Sequence, residues 1–120
     1  MQLCGAVYAL TQDFPKHETY GLSGQARRAA VSIASNIAEG HGRGTTLQLI
    51  QFLRMARGSN FELLTQLLLS RDLGYGSSEQ FQRCENLSEE VSRMLNATIT
   101  SLKAKHAADK TQKPSEPQRF

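Results

Sequence analysis

The side chains of this chain with most chemical capacity are three histidines, two cysteines, a serine between glycines, and a glycine-rich run carrying an arginine. A di-iron carboxylate site needs inward glutamates and Glu-x-x-His motifs, and no Glu-x-x-His occurs. His17, His41 and His106 fall in a loop, a linker and the tail, so metal ligation is not expected. Ser23, within Gly21-Leu22-Ser23-Gly24-Gln25, lacks the second glycine of a nucleophile elbow and has no histidine partner placed by sequence. It reads as an N-terminal helix residue. Gly40-His41-Gly42-Arg43-Gly44 could set backbone amides and Arg43 near a phosphate at a helix start. The run follows a helix, however, where a nucleotide loop follows a strand, and it lacks the Lys-Ser/Thr of a P-loop; a linker with a glycine cap is the plainer reading. Cys4 and Cys84 stand far apart, in no CxxC or Cys/His cluster, which favours small core residues over a disulfide framework or zinc site. No catalytic residue, cofactor, metal or small-molecule substrate is expected.

A second constellation is polar. Gln25, Arg28, Ser32, Asn36 and Glu39 recur at three- and four-residue steps, which lines them up on one helical flank. Three readings stay open: a solvated face; a seam between subunits, in which arginine and carboxylate pair in fixed register; or a nucleic-acid contact through Arg27, Arg28 and Arg43, for which three arginines are few. Glu62 could pair with Arg28 or Arg27 across the bundle as a structural ion pair. Gly58-Ser59 lies inside the same helix as Glu62, and a mid-helix glycine costs roughly 1 kcal/mol relative to alanine. Close approach of two backbones is expected there.

The elements that must hold these residues are helices. Residues 3–12 are helix-compatible, and Pro15 disfavours helical geometry in Phe14 before it. Leu22, Ala26, Ala29, Ile33 and Ile37 then mark one helical face, with Gly40 where a C-terminal glycine cap belongs. Thr45 or Thr46 can cap a third helix with the stripe Leu49, Phe52, Leu53, Ala56, Asn60, Leu63, Leu64 and Leu67. Ser77 or Ser78 can cap a fourth, whose stripe is Phe81, Cys84, Leu87, Val91, Met94, Leu95, Thr98 and Leu102. No segment alternates with the period of two of a half-buried strand, and the connections are short. The expectation is an all-α, antiparallel up-and-down four-helix bundle over residues 1–107, with helices at about 2–12, 20–40, 45–73 and 78–107 and a shortened first helix. Either the native start lies upstream of Met1, or another subunit covers the exposed apolar flank. Residues 108–120, polar and holding Pro114 and Pro117, read as a disordered basic tail.

Length and charge narrow the class. A chain of 120 residues suffices for one core without staples. No apolar run approaches the roughly 18–20 residues of a membrane span, and Met1 to Leu10 lacks the basic region and cleavage site of a leader, so a cytoplasmic location and no membrane contact are expected. Residues 1–102 hold nine Lys/Arg against nine Asp/Glu. The excess of +3 therefore belongs to residues 103–120, through Lys103, Lys105, Lys110, Lys113 and Arg119 against Asp109 and Glu116.

One stretch carries a resemblance: Phe14-Pro15-x-x-Glu18-x-Tyr20-Gly21-Leu22-x-x-Gln25-x-Arg27-Arg28-Ala29-Ala30-x-Ser32-Ile33-x-x-Asn36-Ile37-Ala38-Glu39-Gly40-x-Gly42-Arg43. It resembles the defining stretch of the four helix bundle protein family, also called 23S rRNA intervening-sequence proteins. Phe52-Leu53-x-x-Ala56-x-Gly58-Ser59-x-x-Glu62-Leu63, Leu73-Gly74-Tyr75, and Arg93-Met94-Leu95 with Ser101-Leu102 are similar to its later signatures. The resemblance implies an up-and-down bundle assembling into a ring, commonly a homopentamer, and no known reaction. Members occur in insertions within large ribosomal RNA genes. A related branch, the accessory variability determinants of diversity-generating retroelements, binds reverse transcriptase and nucleic acid through basic barrels. This chain departs from the family in lacking most of the usual first helix with its customary Trp, and from that branch in the balanced charge of its body.

The expected function is a non-enzymatic homo-oligomer with an RNA- or DNA-associated binding or accessory role, a reverse transcriptase being one candidate partner. The expected subunit interface comprises Gln25, Arg28, Ser32, Asn36, Glu39 and Glu62. Candidate nucleic-acid contacts are Arg27, Arg28, Arg43, Lys103, Lys105, Lys110 and Lys113. The alternative is a protein–protein scaffolding module without nucleic-acid contact, which the neutral body favours.

Overall fold

Pro15 and the glycines at 21, 44, 74 and 76 break the chain into helices joined by short turns. A computed structural model describes residues 1–112. Four α-helices run α1 Gln2–Thr11, α2 Leu22–Gly42, α3 Thr46–Asp72 and α4 Ser78–Gln112, with a 3-10 turn at Lys16–Glu18 between the first two. There is no strand among the described residues. Each long helix starts on a side-chain oxygen. The Leu22 N–H donates to Glu18 Oε1 at 3.0 Å, the Gln48 N–H to Thr45 Oγ1 at 3.2 Å, and the Gln80 N–H to Ser77 Oγ at 3.2 Å. Such bonds satisfy amides that the first helical turn leaves without partners. Gly74, at φ +78°, turns the chain out of α3, a geometry that favours glycine.

Each helix packs on two others. The backbone of α1 runs beside α2 and α4 and that of α3 beside α2 and α4, while the diagonal pairs stand farther apart. This is the square section of an antiparallel up-and-down bundle, here 62 × 23 × 19 Å in extent. α1 reaches along α4 only as far as the level where Met1 and Leu3 meet Leu87, Val91 and Met94.

The apolar stripes meet in one core. Leu3, Val7, Leu10, Ala26, Ala30, Ile33, Leu53, Leu63, Leu67, Cys84 and Leu95 are buried as a single cluster. Met94, expected in the α4 stripe, is instead 52% exposed, and Ile99 takes a core position. A polar pair crosses this core. Asn60 Nδ2 donates to the Ser88 carbonyl at 3.0 Å, and Ser88 Oγ donates to Asn60 Oδ1 at 2.8 Å. That double bond can form in one register of α3 against α4, so it pins their relative height.

Four expectations need correction. Gly40 does not cap α2, which continues to Gly42. Gly40 is buried where α2 crosses α3, and a Cβ there would stand 2.9 Å from Phe52 Cβ and 3.0 Å from Leu49 Cδ1. Close approach therefore occurs at Gly40 and not at Gly58, where an added Cβ meets nothing within 4 Å. α2 begins at Leu22, because Glu18 and the 3-10 turn occupy the residues before it. α4 runs to Gln112, beyond the boundary expected at 107, since Ala107 to Gln112 contain no helix breaker. The remainder of the expected tail, from Lys113, lies outside the described residues.

Candidate functional site

The polar stripe of α2 comes to lie along its outer seam with α3, where the small side chains Ala29 and Ser32 leave room. Gln25, Arg28, Ser32 and Glu62 line one open cleft of about 360 Å³ there. Two residues outside the sequence expectation join them, Ser59 and Gln66 of α3. The Ser32 and Ser59 hydroxyl oxygens are 2.9 Å apart, closing the floor between the helices. Asn36 Nδ2 donates back to the Ser32 carbonyl at 2.9 Å and to Ser32 Oγ at 3.1 Å, so Asn36 is attached to the cleft through Ser32.

Glu39 does not belong to this group. It pairs with Arg43 at 3.0 Å, one turn further along the helix, and the Arg43 guanidinium lies 5.0 Å from the centre of the Phe52 ring. An exposed pair of this spacing contributes only about 0.3–0.5 kcal/mol. The expected bridge from Glu62 to Arg28 or Arg27 is not formed: the ion pairs among the described residues are Glu39–Arg43 and His17–Glu18. Arg27 has turned to the other flank of α2, where Nε donates to Thr11 Oγ1 at 2.8 Å and the guanidinium sits 4.7 Å from the centre of the Tyr8 ring. It ties α2 to α1. Arg28 and Glu62 are left exposed and without a charge partner among the described residues. Gln66 Oε1 is buried and has no hydrogen-bond partner among the described residues, a condition that typically costs about 1–3 kcal/mol.

The candidate nucleic-acid contacts separate into groups. Arg28 lies some 14 residues before the end of α2, roughly 20 Å from the α2–α3 turn. Lys103, Lys105 and Lys110 are exposed near the other end of the chain, on α4. The antiparallel path carries these lysines to the same end of the bundle as the α2–α3 turn and Arg43. Lys103 and His106 share a groove of about 550 Å³ with Leu47, Ile50, Gln51 and Arg54 of α3. Sequence reading missed Arg54 and His106; pairing α3 with α4 antiparallel about the Leu73–Ser77 turn is the signal that places them opposite each other. Lys113 lies outside the described residues.

At the opposite end the loops are latched together. Glu18 accepts from the Leu22 N–H at 3.0 Å and from the Tyr75 hydroxyl at 3.1 Å, and Tyr75 packs on Phe14 with ring centres 5.4 Å apart. The Leu22 bond, with smaller help from Tyr75 and His17, holds the Glu18 carboxyl below its ordinary 4.5 against the opposing effect of desolvation. Desolvation and the Glu18 bond raise Tyr75. Cys4 and Cys84 are both free thiols, and burial pushes Cys84 up to about 11. A thiol so raised is a poor nucleophile at neutral pH. Among the described residues no three His, Cys, Asp or Glu side chains are placed to share a metal ion, and no helix is long and apolar enough to cross a membrane.

Four antiparallel helices with a polar outer seam define an all-α, up-and-down four-helix bundle by architecture. Residues 1–97 match the family model described as 23S rRNA-intervening sequence protein, and the chain belongs to that family. It is similar in fold to a crystal structure of a protein of unknown function from the S23 ribosomal protein family of Bacteroides thetaiotaomicron. That likeness has a TM-score of 0.69 and 23% identity, and covers 82% of this chain and 88% of that one. A search of curated proteins brings up no match.

Proposed function

We propose that the protein is a non-enzymatic, homo-oligomeric helical bundle, pentameric by resemblance, with an RNA- or DNA-associated binding or accessory role. The observation that carries self-assembly is the α2–α3 cleft, where Arg28, Glu62 and the buried Gln66 Oε1 stand together without partners among the described residues of one protomer. A second copy seated on this seam supplies the missing donors and counter-charges, and arginine suits such contacts through its planar fork. The family description, which names the 23S rRNA intervening sequence, supports the nucleic-acid association.

Light scattering across a concentration series tests assembly. The wild type is expected to be oligomeric, Arg28→Glu to shift it toward protomers, and Arg28→Glu with Glu62→Arg to recover part of the loss. A protomer at every concentration removes the reading. A gel-shift titration at low salt tests nucleic-acid association separately.

The alternative, a protein scaffold without nucleic-acid contact, is favoured by Leu47, Met55, Phe61 and Leu69, each 50–59% exposed along α3. Burying one such side chain is worth about 1.5–3 kcal/mol. Absence of any RNA or DNA shift, with assembly intact, selects it.

A further inference from the structure

Charge that balances along the sequence does not balance in space. The hydrogen bonds Ser32–Ser59, Asn60–Ser88 and Arg57–Asn96 mark matching heights on α2, α3 and α4. A plane across the bundle at this level puts residues 33–58 and 92–112 on one side. That half carries Arg43, Arg54 and Arg57 from the α2–α3 hairpin and Arg93, Lys103, Lys105 and Lys110 from α4, against Glu39 and Asp109, a net charge of +5. The other half holds five Lys/Arg against eight Asp/Glu, including Glu79, Glu85, Glu89 and Glu90 along the start of α4, a net charge of −3. Arg43, Lys103, Lys105 and Lys110 stand toward one end of a body 62 Å long and Asp13, Glu18, Asp72 and Glu79 toward the other, farther apart than the Debye length of about 8 Å at physiological salt, while Arg57, Arg93, Glu62, Glu89 and Glu90 lie close to the dividing level. Each end therefore presents its own sign to a partner.

We propose that the basic end, formed by the α2–α3 turn and the C-terminal part of α4, is the surface that contacts the phosphate backbone of RNA, an inference resting on the nucleic-acid reading above. Attraction to the negative end of a helix acts over its last turn only, and the basic residue in the last turn of α4 is Lys110. It does not account for Arg54, Lys103 or Lys105. Among the described residues the Glu39–Arg43 pair is the only neutralisation by ion pairing at this end. Arg54, Arg93, Lys103, Lys105 and Lys110 are exposed, and Arg57 donates to Asn96; an arginine-and-lysine cluster of this kind gains affinity for a polyanion by releasing the counterions condensed on it. In a cyclic ring whose axis runs along the bundle, every protomer keeps the same sense, so all basic ends share one rim.

The test is fluorescence anisotropy of the full chain with a labelled single-stranded RNA of about 20 nucleotides over a salt series. Arg54→Gln/Lys103→Gln/Lys105→Gln is compared with Lys16→Gln/Arg71→Gln/Arg83→Gln, which removes the same charge from the acidic half. The basic-end variant is expected to weaken binding about tenfold or more and to lower the salt slope by about 2, at ~0.7 for each phosphate that is no longer neutralised. The control should shift far less. Circular dichroism verifies folding, and Lys105→Gln/Lys110→Gln, at exposed positions, gives a second reading if the triple variant misfolds. Equal effects of the two triple variants overturn the inference and leave nucleic-acid binding standing; no RNA binding by the wild type removes both. Loss of assembly by the basic-end variant, with RNA binding intact, assigns the surface to the acidic end of a second copy and overturns it as well.

Discussion

Asn60 stands on the core face of α3, at a position where the stripe of its neighbours calls for an aliphatic side chain. It is 3% exposed, and its amide is spent on Ser88 of α4, which is 2% exposed. Neither residue can be replaced alone without leaving the other's polar group buried and unmatched. Asn60→Ala is expected to cost about 1–3 kcal/mol from the orphaned Ser88 hydroxyl and the vacated volume. Ser88→Ala should cost less, and the double replacement less than the sum of the two. Urea unfolding of the four proteins of this cycle measures the coupling, and strict additivity would show that the pair does no more than fill space. Ser32 and Ser59 make the equivalent contact on the α2–α3 side, nearer to solvent.

At the scale of elements, two glycines on facing helices have opposite consequences. Gly40 lets α2 lie against Phe52 and Leu49, so Gly40→Ala should force the helices apart and destabilise by about 1–3 kcal/mol. Gly58 has open space at its missing Cβ, so Gly58→Ala should stabilise the protomer by about 0.5–1 kcal/mol through the lower entropy of the unfolded chain. Thermal melts distinguish the two. A Gly58→Ala protein that melts higher yet assembles less would place this flank under a neighbouring copy.

The Glu18 latch between the α1–α2 and α3–α4 turns adds a pH dependence. Its carboxyl is held below 4.5 in the fold, so the stability it contributes is present above 4.5 and is lost as pH falls through the lowered value. Acid titration of the melting temperature should therefore be shallower below pH 4.5 in Glu18→Gln than in the wild type. An unchanged profile would separate the latch from acid stability.

Over the whole molecule, the apparent neutrality of residues 1–102 turns out to be an average over two ends of opposite sign. The same path separates the arginines of α2 from the lysines of α4, which sequence reading had grouped as candidate contacts. Arg27 is engaged with Thr11 and Tyr8, Arg28 lies in the seam, and the lysines gather with Arg54 at the far end. Ionic strength is the global lever on any contact made there. Binding through the basic end should fall steeply between about 50 and 200 mM salt, whereas assembly through the half-buried seam should change less, as partly buried charges are screened less.

The four helices, most of their apolar faces, the capping sites at Thr45 or Thr46 and at Ser77 or Ser78, and the polar flank of α2 were legible in the chain, because each depends on residues within a turn or two of one another; the packed structure chose Thr45 and Ser77. The family likeness was legible for the same reason, being carried by short runs of residues. What the chain alone did not determine was the height at which each helix passes its neighbour. That height is set by contacts between residues far apart in sequence, Asn60 with Ser88 and Gly40 with Phe52, and a local periodicity contains no information about it. The composition of the cleft, the freedom of Glu62 from Arg28, and the sorting of charge into two ends all follow from that register, so they became visible only in the packed structure.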